Sequence, residues 1–291
     1  METILITGAT GLLGSSLVLH LKKCNYKIVT QARSIQADYV LDLTIKDKVY
    51  ESLEKIQPSI IINLVGLTSV DVCEEQIGLA YLTNTCCVEN LVNWINTSGA
   101  NCHLVQISTD QVYDGVGEQN EDNITITNNY AFSKYAAELV ASKVPSTVLR
   151  TNFVGRSIAP HRESLTDWIY NSIIRNGHVQ VLDDIYFSPL SIKVLVEMIE
   201  LVVKKKPTGV YNLGSHSGMS KAEFVFSFIE SLKMPTNTMT RIKTNQAKFL
   251  KAYRPKDMRM DNTKFENTLG IKLPNLKDLI QSLVAEYHEK N

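Results

Sequence analysis

The chain has 291 residues, 44% of them apolar, with 30 basic against 30 acidic side chains, so it can bury one large core or two unequal ones and carries no net charge. That balance removes the whole-molecule field that draws proteins to nucleic acid or to an anionic membrane, and neither partner is expected. The five cysteines, Cys24, Cys73, Cys86, Cys87 and Cys102, lack C-x-x-C spacing, and the six histidines form no H-x-x-x-H pair; buried free thiols and no metal site are expected.

The N-terminus runs from Met1 straight into the strand-like Ile4-Leu5-Ile6 without the regions of a signal peptide, and no apolar stretch approaches the roughly 20 residues of a membrane span. A reducing cytoplasm is the expected compartment. The first predicted strand, Ile4–Thr7, leads into Gly8-Ala9-Thr10-Gly11-Leu12-Leu13-Gly14 and then a predicted helix, Leu13–Lys23. Strand, glycine turn and helix in that order form the context of a dinucleotide fingerprint, with a pyrophosphate at the helix N-terminus. The spacing is G-x-x-G-x-x-G.

A second strand, Lys27–Thr30, ends in Gln31-Ala32-Arg33-Ser34, with no acidic residue to hold both ribose hydroxyls of NAD. Arg33, with Ser34 beside it, suits a 2′-phosphate, so NADP(H) is preferred and NAD(H) remains open. Asp42-Leu43 is assigned to the adenine side by position. The helix Ile45–Ile56 stops at Gln57-Pro58, a third long strand follows at Ile60–Leu64, and a helix is predicted over Ile77–Thr97.

The strand Cys102–Ser108 ends in Ser108-Thr109-Asp110-Gln111-Val112-Tyr113-Asp114-Gly115, at the carboxyl edge where open α/β sheets bind ligands. Tyr130 and Lys134 follow, four residues apart and so on one helix face, where the ammonium lowers the phenol's pKa. The phenol then acts as general acid toward a carbonyl oxygen that Thr109 or Ser108 also hydrogen-bonds, while hydride comes from a nicotinamide. Asn84, on the preceding helix, is a supporting candidate for the proton path or the nicotinamide side.

A helix over Ser133–Val144 and a strand over Thr147–Arg150 close this alternation. Beyond it, short strands at Val179–Leu182 and Gly209–Leu213 interrupt helices at Leu165–Arg175, Ile192–Lys204, Lys221–Leu232 and Leu276–Glu289. The expected fold is α/β: a Rossmann-type doubly wound parallel sheet over residues 1–150, with later segments free to return to it, and a smaller α/β substrate lobe over 151–291.

Taken together, the glycine motif, S-T-D-x-V-y-D-G, Asn128–Glu138 as N-x-Y-x-x-S-K-x-x-x-E, and Leu149–Gly155 resemble the dTDP-4-dehydrorhamnose reductase family of extended short-chain dehydrogenases. Pro58–Asn63, Thr68–Asp71, Asp183-Asp184 with Ser188-Pro189, and Tyr253-Arg254-Pro255 extend the resemblance over nearly the whole chain. It implies NADPH-dependent reduction of the 4-keto group of a nucleotide-linked 6-deoxyhexose, for deoxysugar and cell-surface polysaccharide synthesis, by a monomer or homodimer. Thr109, Tyr130 and Lys134 match the family's catalytic positions. The cofactor set is Gly8, Thr10, Gly11, Leu12, Leu13, Gly14, Arg33, Ser34, Asp42, Leu43, Asn63, Tyr130 and Lys134. The substrate set is Ser108, Asp110, Gln111, Val112, Asn152, Phe153, Trp168 and Arg254, with Arg162 in the same stretch.

The chain departs from the family at Phe187-Ser188-Pro189-Leu190 and at Asn152-Phe153, both on the substrate side. Three other readings stay in view. A dehydratase of the same superfamily generally has Glu after the S-T-D aspartate, where this chain has the non-titrating Gln111. C4 epimerisation uses the same tyrosine. A non-catalytic NADP-binding subunit resembling the methionine adenosyltransferase β subunit would act through a protein-binding tail, whereas Ala285–Asn291 reads as the end of a packed helix.

Overall fold

The computed structural model describes residues 2–288. The first half alternates β1 (Thr3–Thr7), α1 (Leu12–Lys23), β2 (Lys27–Ala32), β3 (Tyr39–Val40), α2 (Lys46–Ile56), β4 (Ile60–Asn63), α3 (Val70–Glu75), α4 (Ile77–Tyr81), α5 (Cys87–Ser98), β5 (His103–Thr109), α6 (Asn129–Ala141) and β6 (Ser146–Thr151). There follow β7 (Phe153–Val154), α7 (Leu165–Ile174), β8 (Val179–Leu182), β9 (Tyr186–Phe187), β10 (Leu190–Ser191), α8 (Ile192–Lys205), β11 (Gly209–Leu213), β12 (Met219–Ser220), α9 (Lys221–Ser231), β13 (Met239–Ile242), α10 (Thr263–Leu269) and α11 (Leu276–His288). Glu289, the expected end of the last helix, lies outside the described residues.

Seven strands form one sheet in the order β11-β6-β5-β4-β1-β2-β3, and the pairs β1–β2, β1–β4, β4–β5 and β2–β3 are parallel. Every residue of β1, β4 and β5 is buried, which is why β1 and β4 read as near-continuous apolar runs rather than alternating ones. α1 turns Leu13, Leu17 and Leu21, spaced by four, into the core, each contributing roughly 1.5–3 kcal/mol. Its last turn carries His20, Lys22 and Lys23 at the negative end of the helix dipole.

Several boundaries differ from the sequence reading. The predicted helix Ile77–Thr97 is α4, a π turn at Leu82–Cys86 and α5 in succession. α6 begins at Asn129 rather than Ser133, because the Asn128 side chain accepts the Ala131 N–H at 2.8 Å and caps an earlier turn, which brings Tyr130 into the helix. Gly209–Leu213, among the later segments left free to return to the first sheet, is its edge strand beside β6. α3, β13 and α10 were not predicted.

Two compact units emerge, and they are interleaved along the chain. One gathers the chain up to Thr109, Asn128–Arg150 and Val196–Tyr211; the other gathers Asp110–Thr127, Thr151–Leu195 and the chain from Asn212 onward. In the first, Trp94 is fully buried and donates its Nε1–H to Glu54 at 2.8 Å. The second is centred on aromatic rings: Phe187 to Phe224 at 5.5 Å, Phe224 to Phe228 at 6.4 Å and Phe228 to Tyr287 at 5.2 Å between centroids. Cys73, Cys87 and Cys102 are buried free thiols, pushed up to about 11, about 12 and about 12 by burial. Cys24, against expectation, is exposed, and Cys86 is half-buried. Among the described residues, no helix is long and apolar enough to cross a membrane.

Candidate active site

β1 delivers the chain to Gly8 at the carboxyl edge of the sheet. Gly8 has φ +66°, and a Cβ there would meet the Leu64 carbonyl carbon at 3.2 Å; a Cβ on Gly14 would fall 2.3 Å from the Gly8 oxygen. Both positions therefore require glycine. The Gly11 N–H closes the turn on the Gly8 oxygen at 2.9 Å, and no side chain caps α1. The amides of Leu12, Leu13 and Gly14 are thus the ones a helix N-terminus offers to an anion. Thr10 and Leu12 are half-buried beside this turn, while the Leu13 side chain belongs to the core.

Gln31 was not anticipated. Its Oε1 accepts the Gly8 N–H at 3.1 Å and its Nε2 donates to the Leu41 carbonyl, so it fixes the glycine turn to the end of β2. Arg33 is exposed, and the adjacent Ser34 Oγ is buried without a hydrogen-bond partner. The carboxylates nearby are engaged locally: Asp38 accepts from Thr30 N at 2.9 Å and Thr30 Oγ1 at 2.7 Å, and Asp42 accepts from Thr44 N at 2.9 Å and Thr44 Oγ1 at 2.8 Å. Exposed guanidinium, orphaned hydroxyl and occupied acids together fit a 2′-phosphate better than a bare ribose.

Tyr130 and Lys134 lie one turn apart on α6, and Thr109 ends β5; all three are buried. The Lys134 ammonium donates to the Ile107 carbonyl at 2.6 Å, fastening α6 to β5 two residues before Thr109. Burial pushes Lys134 down to about 8, and Glu138, a further turn along α6, acts in the opposite sense. Glu138 is itself held by Arg150, whose Nη2 lies 2.7 Å from Oε2 and whose Nε lies 3.1 Å from each oxygen. Asn84, in the π turn, accepts the Leu67 N–H at 2.6 Å and donates to the Leu67 oxygen at 3.1 Å and to Ser133 Oγ at 2.9 Å. It braces the loop after β4 against α6, a positioning role.

Five of the assigned residues have partners or places within the chain. Ser108 donates its hydroxyl to Glu138. Asn63 accepts from Thr7 Oγ1 at 2.6 Å and donates to Gln106 at 2.8 Å in a buried chain across β1, β4 and β5, which occupies the amide assigned to the cofactor. Leu43 is a core residue whose carbonyl accepts from Asn90 at 2.8 Å. The Asp42 side chain caps its own turn at Thr44. Val112 is fully buried in the short turn Asp110–Val112.

In the second unit, Asn152 donates to Asp110 Oδ2 at 2.7 Å, and its carbonyl accepts from Leu190, pairing β7 with β10. Lys221, missed in the sequence, has its ammonium pushed down by burial while Asp110 pulls it back. Gln111 and Phe153 are half-buried; Arg254, also half-buried, donates to the Ala252 carbonyl at 2.9 Å, and Trp168 is 44% exposed on α7. A separate cavity of about 230 Å³ is walled by Arg156, Arg162, Asp167, Tyr170, Asn171 and Tyr287; of the substrate candidates only Arg162 lines it.

Comparison with known proteins gives a consistent picture. The family model described as RmlD substrate binding domain matches residues 1–289. A dTDP-4-dehydrorhamnose reductase from Shigella flexneri is 25% identical over 97% of each chain. The spore coat polysaccharide biosynthesis protein SpsK of Bacillus subtilis is 26% identical over 81% of each. Among solved structures, dTDP-4-dehydrorhamnose reductase from Bacillus anthracis in complex with NADP superposes with a TM-score of 0.88 at 25% identity, covering 98% of this chain and 99% of that one.

Proposed function

The chain belongs to the RmlD substrate-binding-domain family, and from that membership we propose that it is an NADPH-dependent reductase of a nucleotide-linked 4-keto-6-deoxyhexose, serving deoxysugar and polysaccharide synthesis. Relatives named dTDP-4-dehydrorhamnose reductase over nearly the whole length support the reaction, and a relative solved with NADP supports the cofactor. The observation that carries the reading is that one compact unit contains the glycine turn after β1, Thr109 at the end of β5, and Tyr130 with a buried Lys134 on α6.

NADPH, when bound, supplies the hydride. The chain's own residues do the rest. The turn Gly8–Gly14 accepts the pyrophosphate on the first amides of α1, and Arg33 with Ser34 holds the 2′-phosphate. Tyr130 gives its phenolic proton to the substrate's C4 oxygen as that oxygen gains charge, and Thr109 hydrogen-bonds the same oxygen. Lys134, charged below about pH 8 and held by the Ile107 carbonyl, favours the ionised phenol left behind. Asn152, Phe153, Trp168 and Arg254 are assigned to sugar and nucleotide selection.

Gln111 offers no titrating group for removal of water, which disfavours dehydration. Cytoplasmic residence and a monomeric or homodimeric state complete the proposal. The test is loss of NADPH absorbance with dTDP- and UDP-linked 4-keto-6-deoxyhexoses, with product stereochemistry read by NMR. Turnover of one of them supports reduction; tight NADPH binding without turnover of any overturns it.

A further inference from the structure

A second chemically distinct cluster lies within the first unit. His20 and Cys24 stand one turn apart at the C-terminal end of α1, and Glu200 reaches them from α8. The His20 Nε2 lies 2.8 Å from Glu200 Oε2 and 4.0 Å from the Cys24 sulfur, and one donor atom from each residue falls within 4.8 Å of the other two. Among the described residues, no other three His, Cys, Asp or Glu side chains converge in this way.

We infer that His20, Cys24 and Glu200 form a binding site for a divalent transition ion of zinc type, with solvent completing its coordination. Imidazole nitrogen, thiolate sulfur and carboxylate oxygen are the mixed donor set that zinc takes and that magnesium and calcium, which need all-oxygen shells, do not. His20 in the last turn of α1 and Cys24 at its C-cap, spaced i and i+4, form a natural chelate, and the third donor arrives from a separate helix of the same unit. With metal–ligand bonds of about 2.0–2.3 Å, donor atoms around a tetrahedral ion sit roughly 3–4 Å apart, so the existing spacing needs only small side-chain adjustment.

Lys204 supports the assignment. It binds the other Glu200 oxygen, Oε1, at 2.6 Å, orienting the carboxylate while leaving Oε2 toward the histidine and cysteine. The ion takes the place of the His20–Glu200 hydrogen bond, and the Cys24 thiol proton leaves to solvent as the sulfur–metal bond forms. Cys24 is also the exposed cysteine of the five, so an ion reaches it without opening the core. The ion would clamp the end of α1, whose beginning carries the glycine turn, to α8.

Titration of the intact chain with Co²⁺ reads the site directly. One equivalent should bind with a thiolate-to-cobalt charge-transfer band that Zn²⁺ abolishes, and Zn²⁺ should slow alkylation of Cys24 by at least about tenfold. Cys24→Ser should remove the band, and His20→Ala should weaken Co²⁺ by roughly tenfold or more. Cys24→Ser should leave NADPH-dependent turnover unchanged, because none of the three residues belongs to the catalytic set. Absence of the band in the wild-type chain, or its persistence in Cys24→Ser, overturns the inference.

Discussion

Lys134 meets opposed demands. Burial against the Ile107 carbonyl holds it in place but disfavours its charge, and Glu138 one turn away restores part of that charge. The protonated fraction of Lys134 therefore falls as pH rises through about 8, and replacing Glu138 by Gln removes the opposing influence and lowers that pKa further. The alkaline limb of the kcat profile should move to lower pH in Glu138→Gln, whereas a purely structural role would scale the whole profile without moving the limb. The same variant leaves Arg150 without its carboxylate, and denaturant unfolding should show a loss of about 3–5 kcal/mol. Tyr130→Phe removes only the proposed proton donor, so turnover should drop roughly 10²–10⁴-fold while NADPH affinity, read by fluorescence titration, stays near wild type. Arg33→Ala should instead weaken NADPH binding and leave NADH binding nearly unchanged; equal weakening of both would remove Arg33 from the 2′-phosphate site.

At the level of elements, β5 carries both Thr109, the proposed catalytic hydroxyl, and a buried histidine. His103 shares a 2.8 Å hydrogen bond with Thr147 on β6, and burial pushes its pKa down to about 4, with Lys206 adding to the effect. Below pH 6.5 the unfolded chain binds a proton that the native imidazole refuses, so stability falls as pH drops from about 6.5 to about 4. The loss approaches about 3 kcal/mol by the full shift. His103→Asn should flatten that part of the stability curve, measured by urea unfolding at several pH values; an unchanged slope would place the dependence elsewhere. The strands β1 and β4 were legible as buried apolar runs, and β2, β5 and β6 from shorter apolar pairs, Ile28-Val29, Leu104-Val105 and Val148-Leu149. The two-residue strands and α3, α10 and β13 were not, since so few residues carry no readable period and tertiary pairing sets them. The site divides in the same way. Gly8–Gly14, Tyr130 and Lys134 could be proposed from sequence because turn geometry and helix pitch fix their spacing. The hydrogen-bond partners of Asn63 and Ser108 were not legible, because they lie far off in sequence: Thr7 and Gln106 are 56 and 43 residues from Asn63, and Glu138 is 30 from Ser108.

For the molecule as a whole, the interleaving of the two units has a consequence for any attempt to isolate one. A division at residue 150 leaves Val196–Tyr211 behind, although that segment belongs with the first unit and supplies most of α8 and the start of β11. Without β11, the wholly buried β6 becomes a bare edge strand, with unpaired amides and carbonyls exposed along one side. The fragment also loses the Thr147 hydroxyl bond to the Pro207 carbonyl and the pairing of His20 with Glu200. A chain truncated after Arg150 should therefore aggregate or melt without a cooperative transition, even though it contains every residue assigned to NADPH. Circular dichroism during heating and NADPH titration of the soluble fraction would read this. A soluble fragment with a sharp transition and wild-type NADPH affinity would mean that the sheet closes without β11 and that the returning segment is dispensable to the first unit.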